Sequence, residues 1–199
     1  MLRIIPALAV VVAFAGLASA QPVINPPADG SVTEAQGLEA FARIYEVTSH
    51  PRCANCHTGP DNQPMWSGPS YGKTRPHGMN INAGDSRIGA EYITCATCHS
   101  QTQTDQPHTA PGAADTWHLA PVEAQWFGKS AAEICAQLRD PDRNDGMDHI
   151  ALAEHLAEGP LVAWGWSPGG TRVPAPFSLQ AHIDDVLIWG VAGMPCPAG

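Results

Sequence analysis

Cys53-Ala54-Asn55-Cys56-His57 and Cys95-Ala96-Thr97-Cys98-His99 are two copies of one five-residue pattern, and their reading decides what kind of fold this chain can have. In C-x-x-C-H, two thiols add to the two vinyl groups of a haem, and the histidine that follows ligates the iron from one side. Each copy therefore predicts a covalently held haem c, with Cys53, Cys56 and His57 serving one and Cys95, Cys98 and His99 the other. The rival is a tetrahedral zinc site built from the four thiols. Thirty-eight residues separate Cys56 from Cys95, a wider gap than zinc ribbons use, and zinc gives no reason for a histidine after each pair. The starts of the two motifs lie only 42 residues apart. Two fused cytochrome domains would need a domain's length between them, so both haems belong to one compact diheme domain.

Working outward, the first twenty residues read as an export signal. Arg3 precedes an apolar run from Ile4 to Leu17, and Ala18-Ser19-Ala20 supplies small residues for cleavage after Ala20. The run is short for a bilayer span and contains Pro6 and Gly16. The expectation is a periplasmic protein with no membrane span after cleavage. The formal charge is −9, and losing Arg3 makes it more negative. Such a surface disfavours nucleic acid and suits a redox partner with a basic docking surface.

The chain holds 19 Gly and 19 Pro in 199 residues, so much of the backbone must be turn and extended loop. The predicted fold is mainly α with long irregular loops and little or no β-sheet. A Pro-rich leader over 21–30 precedes a single domain over 31–199. Ser31 and Glu34 have capping-box spacing for a helix over about 32–48, which Pro51 stops near His50. Ser130 and Glu133 repeat that spacing for a short helix to Arg139. A further helix is expected from Asp148 to Glu158 with Gly159 as its stop, and a last one from Ser178 to about Val191. The stretches 57–94 and 100–121 have no sustained apolar period. Haem would replace the side-chain core they lack.

Cys135 and Cys196 remain once the motifs are counted, and an even remainder in an oxidising compartment favours a disulfide over two free thiols. Each iron also needs an opposite ligand, for which the chain offers an excess of histidines and methionines. His77 and Met79 fall in the loop that the first haem should organise, His118 follows Trp117, and His155 lies one helical turn from Leu152. The order of preference is His77, then His155 and His118, with His50 behind. Histidine would hold the potential lower and methionine raise it.

Several segments resemble a known family in order and spacing. These are His50-Pro51-Arg52 before the first motif, Arg75-Pro76-His77-Gly78-Met79-Asn80, Trp117-His118-Leu119-Ala120-Pro121, Gly128-Lys129-Ser130, Ile134-Cys135, Asp140-Pro141, the run Leu161 to Gly169, and the Cys196-Pro197 ending. Over roughly 45–197 the chain is similar to the bacterial periplasmic diheme c-type cytochromes labelled isoquinoline 1-oxidoreductase subunit. The resemblance implies an association with molybdenum hydroxylase-type oxidoreductases. It also implies that His50, His77, His118 and His155 occupy positions of family histidines. Nothing here resembles a molybdopterin-binding chain, so the expected role is electron carrier rather than enzyme. The alternatives are a peroxidase-like haem enzyme with an open axial position and a structural or sensory haem subunit of a redox complex.

Overall fold

The first helix, α1 (Glu34–Thr48), starts later than the Ser31 capping box predicts. Two overlapping segments have the required spacing, and the second one forms the cap. The Thr33 hydroxyl accepts from the Gln36 amide at 3.3 Å, while the Gln36 side chain accepts from the Thr33 amide at 2.9 Å. Ser31 is used otherwise, because its amide closes a turn onto the Ala28 carbonyl at 3.0 Å. At the far end, Pro51 stops α1 as expected and opens α2 (Pro51–Ala54) at its first position, where no amide is needed.

The computed structural model describes residues 21–67, 73–90, 93–102, 106 and 109–199. The expected export signal lies outside the described residues. The remaining helices are α3 (Ala131–Arg139), α4 (His149–Glu158), α5 (Pro160–Trp164) and α6 (Leu179–Val191). Among the described residues, strand is confined to two antiparallel ladders, each of two two-residue strands. β1 (Met65–Trp66) pairs with β2 (Arg75–Pro76), Met65 opposite Pro76, and β3 (Gly89–Ala90) pairs with β4 (Ile93–Thr94), Gly89 opposite Thr94. The fold is therefore mainly α with long loops, as the turn-rich sequence predicts.

The apolar core is built by α1, α3, α4 and α6. Phe41 and Ile44 of α1, Ile134 and Leu138 of α3, Leu152 of α4, and Ile183, Leu187 and Trp189 of α6 pack in one cluster. Phe41 and Trp189 meet with ring centroids 5.4 Å apart. Ser130 and Glu133 cap α3 reciprocally, and Asp148 caps α4 by accepting from the amides of Ile150 and Ala151. Gly159 ends α4 without the left-handed turn typical of a glycine stop, at φ −76°. It leads directly into Pro160, whose ring begins α5.

Two devices tie the helices together. Asp185, only 4 % exposed on α6, is neutralised by Arg43 of α1, whose Nε donates to both carboxylate oxygens at 3.0 Å and whose Nη2 also donates to Oδ1. A carboxylate this deep needs such a forked donor. Cys135 and Cys196 form a disulfide that anchors the C-terminal tail to α3. Ala113, Trp117 and Trp164 form a second, smaller apolar cluster, against which Cys95 of the second motif packs.

Candidate haem-binding sites

The two motifs adopt the same local shape. In each, the amides of the second cysteine and of the histidine point back to the carbonyl of the first cysteine. Cys56 and His57 reach Cys53 O at 3.1 Å each, and Cys98 and His99 reach Cys95 O at 3.2 and 2.9 Å. One helical turn thereby puts residues i, i+3 and i+4 on one face, which is the face a group held by two thiols and an imidazole must meet. The first turn continues α2. The second is a 3-10 turn delivered by the β3–β4 hairpin. Gly89 at φ +123° makes that delivery possible, since a Cβ there would sit 2.6 Å from the Cys95 amide nitrogen.

Both motif histidines are fixed in the same tautomer. His57 Nδ1 is 2.8 Å from the Ala124 carbonyl and His99 Nδ1 is 2.7 Å from the Pro111 carbonyl. A carbonyl can only accept, so Nδ1 carries the proton and Nε2 presents its lone pair. Such a bond from Nδ1 to a carbonyl is what orients a metal-ligating imidazole. Each ring is also clamped by an indole. Trp126 stacks on His57 with centroids 3.5 Å apart at 1°, and Trp117 stacks on His99 at 4.6 Å and 13°. Burial pushes the His57 imidazole down to about 4, against the opposing pull of the Ala124 bond and with the help of nearby His155. His99 is lowered by burial, partly offset by its Pro111 bond, with His77 and Arg172 adding to the fall. Both are neutral at pH 7, as a ligand must be. His57 keeps some accessible surface although protein atoms crowd around it. It therefore lines a crevice rather than the core.

Burial raises three of the motif thiols, those of Cys53, Cys56 and Cys95, above the usual thiol range. Burial, reinforced by the neighbouring thiol of Cys56, pushes Cys53 up to about 12, and burial with the approach of Cys95 pushes Cys56 up to about 11. A thioether, like the protonated thiol, is uncharged and suits this burial. Among the described residues no three His, Cys, Asp or Glu side chains converge as a bare metal ion would need. The donor set present, two neutral sulfurs and one Nε2 per turn, fits haem c. The Cys95 thiol is near enough to act electrostatically on that of Cys56. The segment that joins them is ordered by backbone bonds from Ala120 to Cys56 O at 3.2 Å, from Leu119 to Arg87 O at 2.9 Å, and from Cys95 to Ile88 O at 2.8 Å.

The candidates for the opposite ligands separate clearly. His77 stands against His99, with ring centroids 6.1 Å apart, and not against the first motif as its place in the loop suggests. Two imidazoles bound through nitrogen to opposite sides of one metal have centroids about 6 Å apart, given metal–nitrogen distances of about 2 Å. The His77 Nδ1 lies 2.9 Å from Gly78 O, again leaving Nε2 open. His155, on α4, is near enough to His57 to depress its protonation, and His118 is near His155. His155 is exposed, yet burial by surrounding atoms lowers it too, as for a side chain in a cleft. His118 Nδ1 is held by Thr116 O at 2.7 Å.

His50 is differently engaged. Its Nδ1 accepts from the Arg52 amide at 3.3 Å while capping α2, so the neutral ring carries its proton on Nε2. That is the wrong tautomer for Nε2 ligation. Met79 is 80 % exposed at φ +60°. Sequence reasoning missed Trp126 and the carbonyls of Ala124 and Pro111 altogether. A lone tryptophan and two backbone oxygens carry no motif. No family model matches the chain, and neither curated proteins nor solved structures give a match.

Proposed function

We propose that this protein is an exported electron carrier that holds two covalent haems in one helical domain, each between two histidines. Cys53, Cys56 and His57 hold the first, with His155 opposite. Cys95, Cys98 and His99 hold the second, with His77 opposite. The observation that carries this reading is the His99–His77 pair, whose rings are 6.1 Å apart and each use Nδ1 on a backbone carbonyl. When bound, haem supplies one-electron ferric–ferrous chemistry.

The residues of the chain supply position and dielectric. Trp126 and Trp117 fix the planes of His57 and His99, and the electrostatic influence of Cys95 on Cys56 supports two neighbouring sites that exchange electrons. Filling both sides of each iron with histidine favours electron transfer over peroxide chemistry, which needs an open position. The acidic charge favours a basic partner. An electron-donating molybdenum hydroxylase-type complex remains the partner class implied by the resemblance. The test is intact mass plus redox titration of the protein made in a host competent for haem attachment. Two haems per chain, two one-electron waves and a low-spin spectrum are expected. A chain that carries no covalent haem, or that binds carbon monoxide at both irons, overturns the reading.

A further inference from the structure

Arg52 directly precedes Cys53, and its side chain is drawn across the boundary between the two sites. Its Nε donates to the Val173 carbonyl at 2.7 Å, and its guanidinium carbon lies 5.4 Å from the centroid of the Trp164 ring. The stem runs over Gly165, where an added Cβ would lie 3.7 Å from that of Arg52. Trp164 is 7 % exposed and meets Trp117 edge-on at 4.8 Å and 80°. Trp117 in turn stacks on His99. A continuous line of contact therefore runs from the residue beside one haem-attaching cysteine to the iron-facing histidine of the other motif.

Among the described residues no carboxylate forms an ion pair with Arg52. The ion pairs among the described residues are Arg43–Asp185 and Lys129–Glu133. Burial, and after it the Arg172 guanidinium, disfavour the charged form of Arg52, while the sulfurs of Cys56 and Cys53 favour it. The chain has 19 acidic residues against 10 basic ones, so a half-buried cation beside another cation is a local exception to its balance. The Val173 carbonyl alone would be served as well by an uncharged donor, whereas the Trp164 face favours the cation. A positive charge held in a partly desolvated place favours whichever neighbouring group gains an electron.

We propose that Arg52 is the fixed positive charge that raises the reduction potentials of the two haem sites, acting more on the site of Cys53 than on that of Cys95. It is a positioning and tuning residue, not a ligand, and its role rests on the diheme reading above. Each haem loses one unit of positive charge when its iron is reduced, so a nearby cation stabilises the reduced form. A unit charge at roughly 10 Å and an effective dielectric near 20 shifts such an equilibrium by about an order of magnitude. Trp164 keeps the guanidinium from swinging into water, where the effect would be screened.

The test is spectroelectrochemical titration of the two-haem protein and of Arg52→Gln, Arg52→Met and Arg52→Lys, with haem content and spin state checked in each. In the neutral variants the more responsive midpoint should fall by about tenfold in the reduction equilibrium, about 59 mV for one electron. The other midpoint should fall less, and Arg52→Lys should stay near the wild type. Methionine keeps the packing over Trp164, so it provides the measurement if glutamine disturbs folding. Neutral variants that keep both haems and both midpoints overturn the role of Arg52 alone, as does a lysine variant that falls as far as glutamine. A wild-type protein with no haem wave overturns the diheme reading itself.

Discussion

The imidazole of His77 stands 6.1 Å from that of His99, and both rings spend Nδ1 on a backbone carbonyl. Under the diheme reading, His77→Ala opens one iron while leaving its covalent attachment intact. The expected outcome is a protein with two haems by mass, one of which becomes high-spin and binds carbon monoxide. Its midpoint should rise as the second histidine is lost. A variant that stays fully low-spin would remove His77 from the ligand set.

The first site is tested by comparing three histidines. His155→Ala should make the haem of Cys53 accessible to carbon monoxide, because His155 is the side chain that acts on His57. His118→Ala should have a smaller spectral effect, since His118 acts electrostatically on His155, whereas His155 acts on His57 itself. His50→Ala should leave both haems low-spin and cost stability instead. Its Nδ1 caps α2 by accepting from Arg52, and loss of a cap costs about 1 kcal/mol. Magnetic circular dichroism of the three variants gives the check. Low-spin His155→Ala with a high-spin His118→Ala would exchange their roles.

The four longer helices, α1, α3, α4 and α6, were legible in the sequence because their signals are local, whereas the short α2 and α5 were not expected. Ser130 with Glu133, Asp148 and Ser178 each satisfy orphan amides within three residues of themselves, so spacing alone locates them. The error at α1 has the same origin, since Ser31 and Thr33 offer equivalent spacing and only the turn from Ala28 decides between them. The motif residues were legible for a chemical reason, as five positions define an attachment site. What faces them was not. His77 meets His99 across a loop with no periodicity, and Trp126 reaches His57 from the start of a different helix's approach. Those pairings depend on where the loop closes, and no local pattern encodes closure.

The Cys135–Cys196 disulfide closes a loop with a sequence separation of 61. Chain-entropy reasoning assigns such a closure roughly 4 kcal/mol. Cys135 is fully buried in the core cluster, next to Ile134 and Leu138, and serine there would add the cost of an unsatisfied hydroxyl. Alanine at both positions is the cleaner variant. Cys135→Ala/Cys196→Ala should lower the denaturation midpoint by an amount equivalent to about 3–5 kcal/mol while the haem content stays at two. Equal midpoints for the wild type and the double variant would show that the tail is held by its packing alone.

His182 should make the fold acid-sensitive independently of the haem sites. It is 3 % exposed on α6, its Nδ1 has no hydrogen-bond partner among the described residues, and its ring lies 5.5 Å from Trp166. Burial alone pushes its pKa down to about 4, whereas the unfolded chain takes up a proton near the ordinary value of about 6.5. Below that value the unfolded state therefore binds the proton first. The stability contributed by neutral His182 is fully present above about pH 6.5 and is lost as the pH falls towards 4. At 1.36 kcal/mol per pH unit the loss approaches about 3 kcal/mol. His182→Leu, which fills the same apolar site without a proton-binding group, should flatten this part of the pH–stability curve. The measurement is urea unfolding of wild type and variant between pH 7 and 4, followed by tryptophan fluorescence. Curves that stay parallel across that range would assign the acid sensitivity to other groups.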